Sequence, residues 1–312
     1  MALQGKDLLG MKETSAEEIT EILKNAAVMK QILLQDSKKT PHLMGKSIIT
    51  LFYENSTRTR MSFELASKYM SAASANISAS SSSVQKGETL IDTGKTLDMM
   101  GTDIIIMRHP CSGAPHLLAK HVRAGVINAG DGMNEHPTQA LLDMFTMQEK
   151  LGGLSGLKVA LVGDILHSRV ARSNLWGLLK MGAEVVLCAP ETLLPPAIKS
   201  FGARVTHDVR EAVSGADVVM GLRIQKERQQ SGLFPSLREY AKYFSVDAEM
   251  VKLAKKNALI MHPGPVNRGV EMPSTVVDSE GSVINEQVMN GVAVRMALLY
   301  LLTRRPHDEN PH

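Results

Sequence analysis

Residues 48–66 read IITLFYENSTRTRMSFELA, and this stretch decides the fold. Its first part, 48–53, is an apolar run of the length and composition that are typical of a buried parallel strand. Residues 61–66 then have the apolar spacing of a helix. Because parallel strands are joined by crossover helices, a strand that turns directly into a helix predicts the α/β class.

The turn between that strand and that helix carries hydroxyl groups and arginines: Ser56, Thr57, Arg58, Thr59 and Arg60. Backbone N–H groups and the positive end of the helix dipole attract an anion there, and Arg58 adds a fork of donors. The turn therefore predicts a phosphate site built without glycine. The alternative is an ordinary helix start, in which Ser56 or Thr57 is the N-cap and both arginines are solvated.

The composition is that of a globular protein large enough for two domains. The chain has 312 residues, of which 44% are hydrophobic and 21% charged. Domains usually have ~100–200 residues, so we expect two, each with its own core. No apolar run approaches the ~20 residues that span a bilayer, and the first residues lack a signal-peptide core. We therefore expect a cytoplasmic protein with no membrane association.

Charge and cysteine content exclude several classes of partner. The net charge is only +3 and 4% of the residues are aromatic, whereas nucleic-acid binders usually have a basic stripe or stacking aromatic side chains. We expect a small anionic ligand and no nucleic acid. The two cysteines, Cys111 and Cys188, offer neither a disulfide framework nor metal-ligand spacing. This usage predicts a reducing compartment and no metal.

Strands alternate with helices along the chain, which predicts a mostly parallel sheet flanked by helices in each domain. A glycine-rich break at 150–156 predicts domains at 1–150 and 151–312. Ligands of such sheets bind at the carboxyl ends of the strands, so we expect the active site in the interdomain cleft. The predicted strands are 47–53, 103–107, 126–128, 158–162, 184–188, 218–221 and 258–261. The predicted helices include 58–70, 89–100, 138–150, 168–181, 247–255 and 288–302.

The run 71–83 is rich in serine. Composition of this kind usually belongs to a surface loop of no functional consequence, and composition alone favours that interpretation here. The alternative is a mobile loop that carries Ser82 and Lys86 toward an anionic substrate.

Two candidate groups follow strands in the first half. Arg108 closes the strand 103–107 and places a guanidinium at its carboxyl end. His136 opens the helix 138–150, where the helix dipole disfavours an imidazolium. A neutral His136 can donate a hydrogen bond to a carbonyl oxygen. A simple capping role for His136 is an equally good interpretation.

Three further segments follow strands in the second half. Residues 163–172 occupy the place of a dinucleotide-binding loop but lack the G-x-G-x-x-G pattern, so we expect no nicotinamide cofactor. Arg169 in this loop offers a carboxylate ligand instead. Arg223 and Gln225 follow the strand 218–221 and, by alternation, lie on one side. Residues 262–265, His-Pro-Gly-Pro, form a stiff turn whose carbonyls can accept from an amide group.

In these segments the chain resembles the aspartate/ornithine carbamoyltransferase family, and most closely its aspartate-using branch. The resemblance implies a two-domain α/β fold, an active site at the cleft and at a subunit interface, and a last helix, 288–302, that packs back on the first domain. The matching motifs run in the family's order over nearly the whole chain: STRTR (56–60), KGET (86–89), RHP (108–110), HPTQ (136–139), SRVARS (168–173), RIQKER (223–228) and HPGP (262–265).

The resemblance also implies a reaction and the residues that perform it. The carbamoyl group of carbamoyl phosphate would pass to L-aspartate, an early step of de novo pyrimidine biosynthesis, without a cofactor. The residues implied to bind carbamoyl phosphate are Ser56, Thr57, Arg58, Thr59, Ser82, Lys86, Arg108, His136, Gln139, Pro263, Gly264 and Pro265. Those implied to bind aspartate are Lys86, Arg169, Arg223 and Gln225. Those implied to be catalytic are Arg58, Thr59, Lys86, Arg108 and His136.

Partners are implied by the same resemblance. Ser82 and Lys86 would reach the active site of a neighbouring subunit, so a homotrimer with shared active sites is expected, and the run 71–83 gains a function. A regulatory chain or a dihydroorotase partner is left open.

The chemistry agrees with these roles, because attack by an amine turns the carbamoyl oxygen into an oxyanion that Arg108, His136 and Thr59 can stabilise. One such donor is worth roughly 3–4 kcal/mol. Two alternatives remain: a carbamoyltransferase for another amine such as ornithine, and a non-catalytic homologue that acts as a scaffold. Arg223 and Gln225 favour aspartate, since they suit a dicarboxylate and repel an ammonium group.

Overall fold

The computed structural model describes residues 3–78, 87–225 and 236–304. The chain forms two compact units: one comprises the residues up to Thr138 and from Asn290 onward, and the other comprises Gln139–Met289. Each unit contains a sheet whose paired strands run parallel. The predicted α/β class with two mostly parallel sheets is confirmed.

The first unit has a sheet with helices that bury its apolar face. Apolar side chains of its strands, such as Leu51, Ile105 and Val126, are buried in one cluster with Leu97 and Leu118 of the helices. Its strands are β1 (Ser47–Phe52), β2 (Ala73–Ser78), β3 (Ile104–His109) and β4 (Gly125–Asp131), in the spatial order β2-β1-β3-β4. Its helices are α1 (Ala16–Leu33), α2 (Thr57–Tyr69), α3 (Leu90–Met99), α4 (Ala114–Ala119) and the start of α5 (Pro137–Leu151).

The second unit has a sheet of five strands, one more than the first, and contains most of α5. Val162, Val186, Val219 and Ile260 from four of its strands share one buried cluster. Its strands are β5 (Lys158–Val162), β6 (Glu184–Cys188), β7 (Arg204–Thr206), β8 (Val218–Gly221) and β9 (Leu259–Met261), in the order β7-β6-β5-β8-β9. Its helices are α6 (Arg169–Lys180), α7 (Val209–Val213), α8 (Leu237–Phe244), α9 (Ala248–Val251), α10 (Ser274–Val277) and the start of α11 (Ile284–Thr303), with two 3₁₀ turns at Glu191–Leu193 and Ile198–Phe201.

The serine-rich run differs from its prediction. Residues 73–78 form β2, which pairs with β1 from Ser47–Ala73 to Phe52–Ser78, so the expectation of a loop was wrong for these residues. Alanine, serine and asparagine have little intrinsic preference for strands, and the exposed edge position leaves no apolar pattern to detect. The ladder to β1 forms this strand in spite of its composition. The predicted helix 247–255 is also shorter, since α9 ends at Val251.

The boundaries between the two units fall within helices: α5 contains the boundary at Thr138, and α11 contains the boundary at Asn290. In the first unit, Arg295 of α11 donates from Nη1 to Ser62 Oγ at 2.8 Å. Its guanidinium also lies over the ring of Phe63, 5.0 Å from the centroid. The last part of α11 therefore packs against α2. Within the described ranges, no helix is both long enough and apolar enough to cross a membrane.

Candidate active site

The turn between β1 and α2 is a capped helix start that remains open to an anion. Ser56 is the N-cap, and its side chain accepts a hydrogen bond from Thr59 N at 3.4 Å, so the cap is one of the two residues, Ser56 or Thr57, that the sequence predicted for an ordinary helix start. The first turn contains no acidic residue, and Thr57 and Arg58 are exposed. Since first-turn N–H groups lack partners within the helix and the dipole is positive there, this turn can hold a phosphate.

Arg108 lies at the end of β3, beside the end of β1. In the register of the sheet Phe52 pairs with Arg108, so Arg108 and the turn leave the sheet at the same edge. Arg108 Nε lies 3.3 Å from Glu54 Oε2, and the Arg108 side chain is only 12% exposed. Nη1 also donates to Ala129 O at 3.5 Å. These contacts fix the orientation of the guanidinium at this edge.

His136 is buried directly before α5. The chain that precedes it is held by two buried carboxylates. Asp131, at the end of β4, accepts from Gly113 N at 2.7 Å, and Glu135 accepts from Met11 N at 2.7 Å. Because β4 is the neighbour of β3, His136 emerges at the same edge of the sheet as Arg108.

In the second unit, the buried carboxylate of Asp164 joins the two loops that carry Arg169 and Gln225. Asp164 follows β5 and accepts from His167 N at 3.1 Å and from Gln225 N at 3.3 Å. Arg169 is the first residue of α6 and is 5% exposed. Because β5 and β8 are parallel neighbours, both loops leave the sheet at its carboxyl edge.

Glu271 holds the residue between Arg223 and Gln225. Its Oε1 accepts from Ile224 N at 2.9 Å, and its Oε2 accepts from Asn267 N at 2.9 Å. Burial raises the pKa of this carboxyl. The backbone from which the side chains of Arg223 and Gln225 project is therefore fixed by a buried acid.

Gln139 and the turn after β9 supply amide-binding groups. Gln139 Nε2 donates to Asp143 Oδ1 at 2.9 Å. Since an ionised carboxylate only accepts, the nitrogen of this amide faces Asp143 and its Oε1 points to the other side. In the turn, Gly264 N donates to His262 Nδ1 at 2.9 Å, and Gly264 has a left-handed backbone with φ 70°, which favours glycine.

The described candidate residues thus fall into two groups, each at the carboxyl edge of one sheet or in helix α5. The first unit holds Ser56, Thr57, Arg58, Thr59, Arg108 and His136. The second unit holds Gln139, Arg169, Arg223, Gln225, Pro263, Gly264 and Pro265. Ser82 and Lys86 lie outside the described residues.

Both halves of the chain match models of a single family. The model described as "Aspartate/ornithine carbamoyltransferase, carbamoyl-P binding domain" matches residues 6–149, and "Aspartate/ornithine carbamoyltransferase, Asp/Orn binding domain" matches residues 155–302. The chain belongs to the aspartate/ornithine carbamoyltransferase family. The resemblance of its motifs to this family is confirmed.

Curated relatives within the family carry the name of the aspartate enzyme. The chain is 70% identical to the aspartate carbamoyltransferase catalytic subunit of Acetivibrio thermocellus, over 99% of each chain. It is 71% identical to the catalytic subunit of the same name from Ruminiclostridium cellulolyticum, over 98% of this chain and 97% of the relative.

Solved structures of the family show the same fold with either acceptor. Aspartate transcarbamoylase from Trypanosoma cruzi, in complex with carbamoyl phosphate and aspartate, is similar with a TM-score of 0.86 and 33% identity over 96% of this chain and 97% of that one. Ornithine carbamoyltransferase from Pyrococcus furiosus is similar with a TM-score of 0.86 and 33% identity over 96% of this chain and 98% of that one. Likeness of fold therefore does not separate the two acceptors, whereas the relatives at 70% identity do.

Several carboxylates that hold the candidate site residues in place were given no role by the sequence, among them Glu54, Asp164 and Glu271. Glu54 lies within the stretch that decides the fold, and Asp164 follows a strand, but neither residue type in those places signals a contact to an arginine or to a distant backbone N–H. Glu271 lies outside every predicted strand and helix. Each acts on a residue that only the fold brings near it.

The raised pKa of Glu271 predicts a pH effect on stability that a Glu271→Gln variant removes. An acid whose pKa is raised on folding makes its full contribution to stability when the pH is below its ordinary pKa, here 4.5. That contribution is lost as the pH rises through the raised pKa. The charge of Glu271 also acts on Tyr240. Burial is the main cause that raises the pKa of Tyr240, and the charge of Glu271 adds to it.

We therefore expect the difference in urea midpoint, wild type minus Glu271→Gln, to shrink as the pH rises from below 4.5 toward neutrality. Urea unfolding of both proteins across that range measures it, and effects of other acids cancel in the difference. A difference that grows with rising pH would contradict the assignment.

Proposed function

We propose that this member of the family transfers the carbamoyl group of carbamoyl phosphate to the amine of L-aspartate. The products are N-carbamoyl-L-aspartate and phosphate, and the reaction is an early step of de novo pyrimidine biosynthesis. The observation that carries the proposal is the 70% identity, over 99% of each chain, to a catalytic subunit named for this transfer. The arginines at the carboxyl edges of both sheets supply binding groups for two anionic substrates.

We assign three sets of groups to carbamoyl phosphate, one for each part of the molecule. Its phosphate binds the turn at the start of α2, through Ser56, Thr57, Arg58 and Thr59. Its carbonyl oxygen accepts hydrogen bonds from Arg108, His136 and Thr59. Its amino group donates to the Gln139 Oε1 that faces away from Asp143 and to the backbone of the turn at Pro263, Gly264 and Pro265.

Catalysis then rests on orientation and on stabilisation of the developing charge. The aspartate nitrogen, as the neutral amine, forms a bond to the carbamoyl carbon, and the carbonyl oxygen becomes an oxyanion. The oxyanion then returns to a carbonyl as the bond to the phosphate oxygen breaks, and the leaving phosphate accepts the proton that the nitrogen loses. Fixed donors at that oxygen are the largest contribution that such a site makes. No nucleophilic side chain is needed, because phosphate is already a good leaving group. Arg108, held by Glu54 at 3.3 Å, is the charged member of the donor set.

The two carboxylates of aspartate are assigned to Arg169, Arg223 and Gln225. Arg169 is almost fully buried. A buried guanidinium attracts a carboxylate and repels an ammonium group. Ornithine would bring a cationic side chain to this region, which the same arginines repel. These charges support aspartate over ornithine as the acceptor.

Product identification tests this proposal. The purified protein is mixed with carbamoyl phosphate and either aspartate or ornithine, and the carbamoylated product is identified by mass spectrometry. We expect N-carbamoyl-aspartate alone. Citrulline would keep the reaction but overturn the acceptor assignment, and no product from a folded protein would favour the scaffold function.

Assembly and location are part of the same proposal. We assign carbamoyl-phosphate binding to a domain at 1–150 and aspartate binding to one at 151–312. The protein is a homotrimer in which Ser82 and Lys86 complete the site of a neighbour, and it is cytoplasmic, which free cysteines at 111 and 188 support. A regulatory chain or a dihydroorotase is the partner class to look for by co-purification, and a chain that purifies alone as a trimer would count against both.

A further inference from the structure

Asp143 lies fully buried in α5, where side-chain amides converge on its carboxylate. Gln139 Nε2 donates to Oδ1 at 2.9 Å, Asn174 Nδ2 donates to Oδ2 at 2.8 Å, and Gln287 Nε2 donates to Oδ1 at 2.8 Å. The donors come from α5, α6 and α11. Because a carboxylate offers acceptors only, each of these amides must turn its nitrogen toward Asp143.

The orientation imposed on Gln139 decides what that side chain can do. With Nε2 committed to Asp143, the group left for a ligand is Oε1, an acceptor. Rotated by half a turn, the same amide would present a donor and would repel the amino group of carbamoyl phosphate. Asp143 therefore orients Gln139 so that its Oε1, and not its Nε2, is presented to the ligand.

A second path runs from Asp143 to the turn after β9. Gln287, with its nitrogen on Asp143, accepts from His262 N with Oε1 at 3.0 Å. His262 in turn accepts from Gly264 N with Nδ1 at 2.9 Å. Pro263 lies between these two bonded residues, so the position of its carbonyl depends on the same carboxylate.

We propose that Asp143 is the positioning residue that makes the site selective for an amino group on the transferred carbon, by orienting Gln139 directly and the Pro263 turn through Gln287. The inference rests on the proposed function, since it concerns how that site recognises carbamoyl phosphate. It assigns no contact between Asp143 and the substrate. A merely structural carboxylate would stabilise α5, α6 and α11 without affecting which acyl phosphate binds.

Acetyl phosphate is the probe, because it has a methyl group where carbamoyl phosphate has the amino group. Calorimetry gives the dissociation constants of both compounds and of inorganic phosphate for wild type and for Asp143→Asn. We expect the preference for carbamoyl over acetyl phosphate to fall by about tenfold or more, the usual result of losing or misdirecting buried hydrogen bonds. Binding of inorganic phosphate should change by less than about twofold, because the phosphate turn is untouched.

Gln139→Leu provides a test of the direct path. If Asp143 acts through Gln139, adding Asp143→Asn to this variant will reduce the preference much less than it does in the wild type. Equal effects in both backgrounds would overturn that path.

Gln287→Met provides a variant that leaves Asp143 and Gln139 in place while it disconnects His262. It should lower the preference by a smaller factor than Asp143→Asn, and it keeps the proposal testable if Asp143→Asn does not fold.

The matched control is Asp217→Asn. Asp217 accepts from Lys158 N at 2.9 Å and precedes β8, so it lies at the amino edge of its sheet, and its loss should lower stability without changing the preference.

Wild-type preference retained in folded Asp143→Asn and Gln287→Met would overturn the inference. Failure of the proposed function is distinguishable, because in that case the wild type itself forms no N-carbamoyl-aspartate and shows no preference for carbamoyl over acetyl phosphate.

Discussion

Replacing Arg108 by methionine will lower kcat by about 10³-fold, the upper end of what loss of one oxyanion donor costs. Arg108 is the charged donor assigned to the carbonyl oxygen, and methionine keeps much of its aliphatic volume. The fold should survive, because the partner left behind, Glu54, has a side chain that is 27% exposed and can be hydrated.

Steady-state kinetics with both substrates measures this effect. Binding of inorganic phosphate should be nearly unchanged, since that anion has no carbonyl oxygen. The control is Arg123→Met in the same unit, whose side chain is 84% exposed and pairs with Asp98 at 3.5 Å; it should keep wild-type rates. A folded Arg108→Met enzyme with wild-type kcat would remove Arg108 from the reaction.

Mixing two inactive variants will restore activity if the active site is shared between subunits. Arg58→Ala removes the guanidinium assigned to the phosphate of the substrate, and Lys86→Ala removes the group assigned to a neighbour's site. A trimer made of either variant alone should therefore be nearly inactive. In a ring of three, every mixed trimer has one site that takes Arg58 from one subunit and Lys86 from the next. Random reassembly of equal amounts should therefore recover about a quarter of the wild-type activity.

The mixture is dissociated in mild denaturant, reassembled, and assayed beside each variant treated alone. Recovery shows that Arg58 and Lys86 act from different chains. If Lys86 instead serves its own subunit, every site in every mixed trimer carries one defect, and the mixture stays as inactive as its components.

The parts of the fold that the sequence predicts are those that local patterns determine. Apolar runs of strand length ending in polar turns predicted the parallel sheets. Hydroxyls before the apolar spacing of α2 offered Ser56 or Thr57 as its cap, and Ser56 is the N-cap. The strand β2 carries no such pattern. It lies at an exposed edge, and its pairing with β1 depends on backbone groups that every residue possesses.

The candidate site divides in the same way. Arginines and His136 were predicted as site residues because their chemistry is visible in the residue type. Asp143, Asp164 and Glu271 were not, since their roles consist of contacts over long separations, such as the hydrogen bond between Gln287 and Asp143. A sequence shows that an acid is present, but only the folded chain shows which amides it orients.

The return of α11 to the first unit has a consequence for the order in which a newly made chain is completed. The second unit, Gln139–Met289, is continuous and leaves the ribosome whole. The first unit begins earlier in the chain but also needs the part of α11 from Asn290 onward, whose Arg295 donates to Ser62 of α2. The helix that opens with the phosphate turn therefore gains its contact with Arg295 only after the second unit has been made, so a chain interrupted before Asn290 has every residue of the turn and lacks the part of α11 that packs against α2.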